Sequence, residues 1–254
     1  MSKLVEKLNK ASRSVTTPMG FHSTMTGKDD SSLVLIAAIA SDAIDSKTLT
    51  SIPIDAALIL DPKVTVTKTK KIIKLLGDIP LGLATDKLSA KDTVEYSGIN
   101  LDFIAFNKKT PLTSMQVSTT GKFLIIDSTL DIDLARSLNS IDVNGVIIDN
   151  SGIDMLTIEH LLICKRYHEI LRKPLLMILS SVITDYELQQ LWETGISGVV
   201  LTSDWSPGSL EKVRHVVDSL PKKHAHRTDK AEAILPRYNV DIDESSDEEE
   251  EEEE

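Results

Sequence analysis

Three aspartates close apolar runs. Asp61 follows Ala56 to Leu60, Asp127 follows Phe123 to Ile126, and Asp149 follows Val146 to Ile148. Carboxylates delivered side by side from neighbouring strands suit Mg²⁺ through oxygen ligands. They also divide into an acid and a base where their surroundings differ. The competing use is local, since Asp commonly ends a strand by accepting from nearby backbone amides. Thr67, Ser128 and Ser151 stand close behind as alternative helix caps, which leaves Asp61, Asp127 and Asp149 available for chemistry. Lys108 is the fourth catalytic candidate. It follows the run ending at Phe106, and Asp127 on the next strand could exchange a proton with it.

A second set is suited to an anion. Ser180, Ser181, Thr202 and Ser203 end the last two runs, and a helix opens near Ser206. Free amides and the helix dipole favour negative charge at such a place. Pro207 removes one donor and Asp204 adds a negative charge, so the site is weaker than its geometry suggests. Other chemistries lack their motifs: there is no phosphate-binding P-loop, dinucleotide fingerprint, zinc signature or nucleophile elbow. His22, His160, His168 and His215 pair with no nucleophile, and His224 with His226 lacks further close ligands. The single cysteine, Cys164, falls on the apolar face of a helix pattern and reads as a buried thiol.

These candidates need a scaffold, and the apolar runs supply it. There are eight: Leu33–Ile39, Ala56–Leu60, Ile79–Ala84, Leu101–Phe106, Phe123–Ile126, Val143–Ile148, Pro174–Leu179 and Gly198–Leu201. Each is followed by polar residues and then a helix-like stretch, and most lack strict alternation, as parallel strands buried on both faces do. Eight βα units in about 250 residues predict a (β/α)8 TIM barrel of eight parallel strands, whose active sites sit at the C-terminal strand ends. Helix starts are expected at Ser89 with Asp92, Ser128 with Asp131, Ser151 with Asp154, Thr184 with Glu187, and Ser206-Pro207. Thr67 opens the second helix, the sixth, Ile153 to Leu171, is the longest, and those after strands 1 and 4 are short. Before the barrel, Leu4, Val5, Leu8 and Ala11 share one face of a short helix, Ser2 to Ala11, suited to covering the apolar N-terminal mouth.

The units also come in pairs. Even-numbered strands share a lead-in: Ile54-Asp55-Ala56, Ile99-Asn100-Leu101-Asp102-Phe103, Ile141-Asp142-Val143-Asn144-Gly145, and Ile196-Ser197-Gly198. Strands 3 and 7 instead begin with Pro80 and Pro174, tolerated at a strand's first residue. A two-unit period repeated four times favours a closed barrel over an open sheet. The phrase Leu188-Gln189-Gln190-Leu191-Trp192-Glu193-Thr194-Gly195-Ile196-Ser197-Gly198-Val199-Val200-Leu201 resembles the last units of phosphate-binding TIM barrels, among them tryptophan-pathway and thiamin-phosphate synthase enzymes. Arg13 to Phe21 is similar to the start of an uncharacterised bacterial barrel family. The resemblance implies a phosphate cradle after strands 7 and 8. Where those families place glycine-rich turns, this chain has Ser180-Ser181-Val182 and Thr202-Ser203-Asp204.

Charge is unevenly placed. The net charge is -11, and eleven acidic residues with no basic one lie between Asp241 and Glu254. The remaining 28 acids balance 28 Lys plus Arg, so the body is neutral and offers no broad footprint for nucleic acid or an anionic membrane. Like charges in the tail repel and predict disorder, and a basic protein is the partner such a tail would recruit. The expected organisation is an N-terminal helix and loop over 1–31, a barrel over 32–221, and a linker with acidic tail over 222–254. No secretory or membrane-spanning run is present, which predicts a cytoplasmic protein. Two functions remain open. One is a small-molecule lyase, isomerase or synthase acting at the C-terminal mouth, with Mg²⁺ as a candidate cofactor. The other is a non-catalytic binding or scaffold barrel.

Overall fold

The computed structural model describes residues 2–12, 32–40, 53–61, 64–85, 95–96, 98–115, 120–152, 155–179, 183–202 and 205–221. All of them belong to one compact unit, Met1–His224. Eight strands pair in parallel, each with its neighbour in sequence, and the last closes on the first. They are β1 (Val34–Ile39), β2 (Ala56–Ile59), β3 (Leu81–Thr85), β4 (Phe103–Asn107), β5 (Gly121–Asp127), β6 (Gly145–Asp149), β7 (Leu175–Leu179) and β8 (Gly198–Leu201). Among the described residues there are six α-helices: α1 (Lys3–Ser12), α2 (Val66–Leu76), α3 (Ile132–Ser137), α4 (Ile158–Ile170), α5 (Asp185–Glu193) and α6 (Pro207–Ser219). The fold expected from the eight runs is the fold observed.

Burial separates the strand residues into two sets by parity. Leu35, Ala57, Leu83, Ile104, Leu124, Val146, Met177 and Val199 face the helix layer in one apolar cluster. Ile36, Leu58, Phe103, Phe123, Ile147, Ile178 and Val200 fill the barrel interior in a second. Two rings set the width of that interior. Phe103 and Phe123 meet edge to face with centroids 5.5 Å apart, and their register partners are Gly82 and Gly145. A Cβ on either glycine would run into the facing ring.

The shared lead-in of the even strands has a structural job. In each, one residue donates its amide to a carbonyl of the strand before: Asp55 to Leu35, Asp102 to Leu81, Asn144 to Lys122 and Ser197 to Leu175. The side chains then divide by position around the barrel. Those of Asp55 and Asn144 accept the amides of Leu35 and Lys122, so each brackets one residue of the preceding strand. Those of Asp102 and Ser197 hold α1. Asp102 accepts from the Ser2 hydroxyl and from the amides of Lys3 and Leu4, capping the helix from a hundred residues away. The Ser197 hydroxyl shares a 3.1 Å hydrogen bond with Ser12 at the other end. β4 and β8 lie opposite each other, and ten helical residues span about 15 Å, so α1 lies across the barrel as a bar. Leu4 and Leu8 point down from it, fully buried in the interior cluster. The expected N-terminal helix is present, and its apolar face packs on the interior cluster.

Several helix starts differ from the sequence reading. Asp131, expected three residues inside its helix, is itself the cap of α3 and accepts from the amides of Asp133 and Leu134. α4 begins at Ile158, after a capping box of Thr157 and His160, and not behind Ser151. It has 13 residues, the same length as α6. Thr65, not Thr67, precedes α2. The Thr184–Glu187 capping box and the Ser206 cap before Pro207 are as expected. The Ser89–Asp92 start and the helix after β1 lie outside the described residues. After β4 a single 3-10 turn, Leu112–Met115, is described.

Candidate functional site

A strand end reaches the C-terminal mouth only if its parity matches the inward set. Inward residues run Phe103, Ala105 in β4, Phe123, Ile125 in β5, Phe123's partner Gly145 and Ile147 in β6, and Val200 in β8. Continuing each by two gives Asn107, Asp127, Asp149 and Thr202. Asp127 and Asp149 are register partners on adjacent strands, so their backbones stand about 4.8 Å apart. Asp61 has the other parity, following Ala57 and Ile59, which face the helices. It also follows β2, which is separated from β5 by two strands and from β6, the other way round the barrel, by three. The structure therefore brings Asp127 and Asp149 together and leaves Asp61 apart.

Lys108 joins the pair. Its Nζ donates to Asp127 Oδ2 at 2.7 Å across the β4–β5 seam. The two side chains are 53% and 60% exposed, so this is a solvated ion pair and not a desolvated Schiff-base lysine. Asp149 Oδ1 accepts the Ser151 amide at 3.0 Å, which is the local turn use of an aspartate. Its other oxygen has no such turn bond. Asn107 Oδ1 accepts from the Lys109 amide, fixing the turn that carries Lys108. Asn107 stands at the strand end in the sequence as well, and counting by twos from Phe103 marks it as inward-facing. Asn150, next to Asp149, is 3% exposed, and among the described residues its Oδ1 has no hydrogen-bond partner.

The anion set is only partly described. Ser180, Ser181 and Ser203 lie outside the described residues. Thr202 lies within them, and its amide and hydroxyl both donate to the Leu179 carbonyl at 3.0 Å, which clasps β8 to β7. Behind it, Ser206 Oγ accepts the Ser209 amide while Ser209 Oγ accepts the Ser206 amide. With Pro207 lacking an N–H, the start of α6 has few donors left to offer. Trp205 Nε1 donates to the Ala38 carbonyl at 2.9 Å, tying this turn to the top of β1.

Below these polar residues the interior is apolar, with Leu60 and Ile125 packed on the inner cluster. The described polar groups therefore form a rim on a closed floor. A groove of about 430 Å³ opens at the opposite end, beside α1, between Ile73, Asp78, Asn100 and Asp102. Its charged groups are already engaged: Asp102 with α1, and Lys3 with Asp78 at 3.6 Å. Cys164 is buried, and desolvation pushes its thiol up to about 12, so it is no nucleophile. Among the described residues no group of three or more His, Cys, Asp or Glu could hold a metal ion, and no helix is long and apolar enough to cross a membrane.

The closed parallel sheet, the outer helices and the polar C-terminal rim settle the architecture. The chain is a (β/α)8 barrel. It matches no family model and no curated protein. Solved structures do match. The tryptophan synthase alpha-subunit of Pyrococcus furiosus is 11% identical with a TM-score of 0.58, over 73% of this chain and 96% of that one. A protein from Aquifex aeolicus VF5 is 12% identical with a TM-score of 0.60, over 86% and 97%. The thiamine phosphate pyrophosphorylase of Pyrococcus furiosus is 10% identical with a TM-score of 0.55, over 73% and 96%. At such identities the barrel shares their fold, and its chemistry has to be argued from its own residues.

Proposed function

We propose that this barrel is an enzyme of the lyase, isomerase or synthase kind, acting at its C-terminal mouth on a small anionic molecule. The observation that carries the reading is the inward register that sets Asp127 beside Asp149, with Lys108 bonded to Asp127. The Lys108 ammonium has two further donors for a substrate carboxylate or phosphate. Substrate binding there leaves Asp127 or Asp149 to take a proton from the bound molecule. Two adjacent carboxylates also suit Mg²⁺, which is commonly held by one or two carboxylates together with substrate phosphate oxygens. Ser180, Ser181 and Ser203 are the proposed anion-binding side of the mouth, beside Thr202, whose own amide and hydroxyl are engaged with Leu179. The resemblance to phosphate-binding barrels supports a phosphorylated ligand.

The test is a thermal-shift screen of phosphorylated and carboxylate metabolites, with and without Mg²⁺, on wild type and on Lys108→Ala and Asp127→Asn. A ligand that raises the melting temperature of wild type and not of the variants supports the reading. No shift with any compound sinks it. The second reading is a non-catalytic barrel whose acidic tail recruits a basic protein. It is favoured by the turn bond of Asp149, by the separation of Asp61, and by the apolar floor beneath the rim.

A further inference from the structure

Helix α4 is apolar on two sides. Its inner side packs Cys164 and Tyr167 into the helix-layer cluster. Its outer side carries Ile158, Glu159, Leu162, Lys165, Arg166 and Glu169, which at 100° per residue fall within one face. Ile158 is 76% exposed and Leu162 65% exposed, and Met155, just ahead of the helix, is 75% exposed. The flanking helices add to this face. α3 and α5 both contact α4, and they present Leu134 and Tyr186, themselves largely exposed. Five large apolar side chains on or beside three adjacent helices are thus left exposed, and clustered exposure of this kind marks an interaction surface.

The charges on the same face indicate what covers it. Glu159 lies three residues before Leu162, and Lys165 lies three residues after it. Glu159, Lys165, Arg166 and Glu169 are exposed and make no ion pair or side-chain hydrogen bond among the described residues. If two α4 helices cross antiparallel on a two-fold axis at Leu162, the two Leu162 side chains meet at the centre. Each Glu159 then faces the Lys165 of the other copy, with Arg166 one residue further on. An isologous interface requires this kind of self-complementary pattern.

We propose that the α3–α4–α5 face is a homodimer interface, with α4 packed antiparallel against α4 of a second copy through Leu162 and Ile158 and with Glu159 paired to Lys165 across the axis. An interface centred on five apolar side chains belongs with the smaller ones, which form complexes that dissociate on dilution. Analytical ultracentrifugation of the full chain, from about 1 to about 100 µM, should show a monomer–dimer equilibrium. Leu162→Asp should shift it to monomer with an unchanged circular dichroism spectrum and melting profile. Glu159→Lys and Lys165→Glu should each weaken dimerisation at least about tenfold, and the two together should restore it to within about threefold of wild type. A chain that stays monomeric throughout overturns the proposal and leaves the face to a different protein. A dimer that survives Leu162→Asp, or single swaps with no effect, overturns it as well.

Discussion

Aspartates occupy both ends of this barrel and are used in opposite ways. At the N-terminal end, Asp55 and Asp102 reach across the sequence. Asp102 caps a helix a hundred residues away, and Asp55 binds the Leu35 amide and the Arg214 guanidinium at 2.8 Å. At the C-terminal end, among the described residues, the Asp127 side chain bonds a solvated lysine and that of Asp149 the amide two residues on. The first pair is built into the packing of a closed end. The second stands on a rim in water, where a carboxylate adds little to stability and stays available to a ligand. Asp55 and Asp102 are thus structural, while Asp127 and Asp149 are the pair on which the proposed function rests.

The comparison can be broken most forcefully at the closed end. Leu8→Ala removes a fully buried side chain from beneath α1 and should cost about 2–5 kcal/mol in urea denaturation. Asp102→Ala leaves three donors of α1 without their acceptor and should cost about 2 kcal/mol. If either variant unfolds with a wild-type midpoint, α1 does not close the barrel. At the open end, Asp127→Asn and Asp149→Asn should stay within about 0.5 kcal/mol of wild type. Under the proposed function the same two variants lose ligand-induced stabilisation. A large loss of stability in either would make the rim structural too.

Two smaller effects sharpen the picture through pH and reactivity. The hydrogen bond and charge of Lys122 hold the Asp142 carboxyl below its ordinary value of 3.8. A depressed folded value means this contribution is complete above about pH 4 and fades as the pH falls through the lowered value. Lys122→Met should therefore lower stability slightly at neutral pH, leave it unchanged at pH values below the lowered one, and so flatten the acid limb of the stability profile. Cys164, raised by burial to about 12, should not react with a thiol reagent at pH 8 until the protein is unfolded. Removing Asp241–Glu254 should leave the melting temperature nearly unchanged, and a large drop would mean that the acidic stretch docks.

Much of the barrel was legible because its signals are local. Eight apolar runs mark eight strands, and Thr184 with Glu187 and Ser206 with Pro207 mark helix starts through bonds that span three residues. Where local signals competed, the reading slipped. Ser128 reads as the cap with Asp131 three residues inside, and only the backbone course showed that Asp131 takes the role. The strand-end aspartates were visible as a set, but β5 and β6 each reach one residue further than their apolar runs, to Asp127 and Asp149 themselves.

By itself the sequence determined the strand count, the parallel order, the paired lead-ins and the covering helix, because hydrophobic period and turn chemistry act over a few residues. Tertiary structure decided which residues share a place. Parity and register set Asp127 beside Asp149 and turned Asp61 away. Barrel closure put β4 opposite β8, so that Asp102 and Ser197 hold the two ends of one helix. It also laid α3, α4 and α5 side by side and made one surface of their apolar side chains. Such relations depend on contacts between residues far apart in the chain, and no local spacing encodes them.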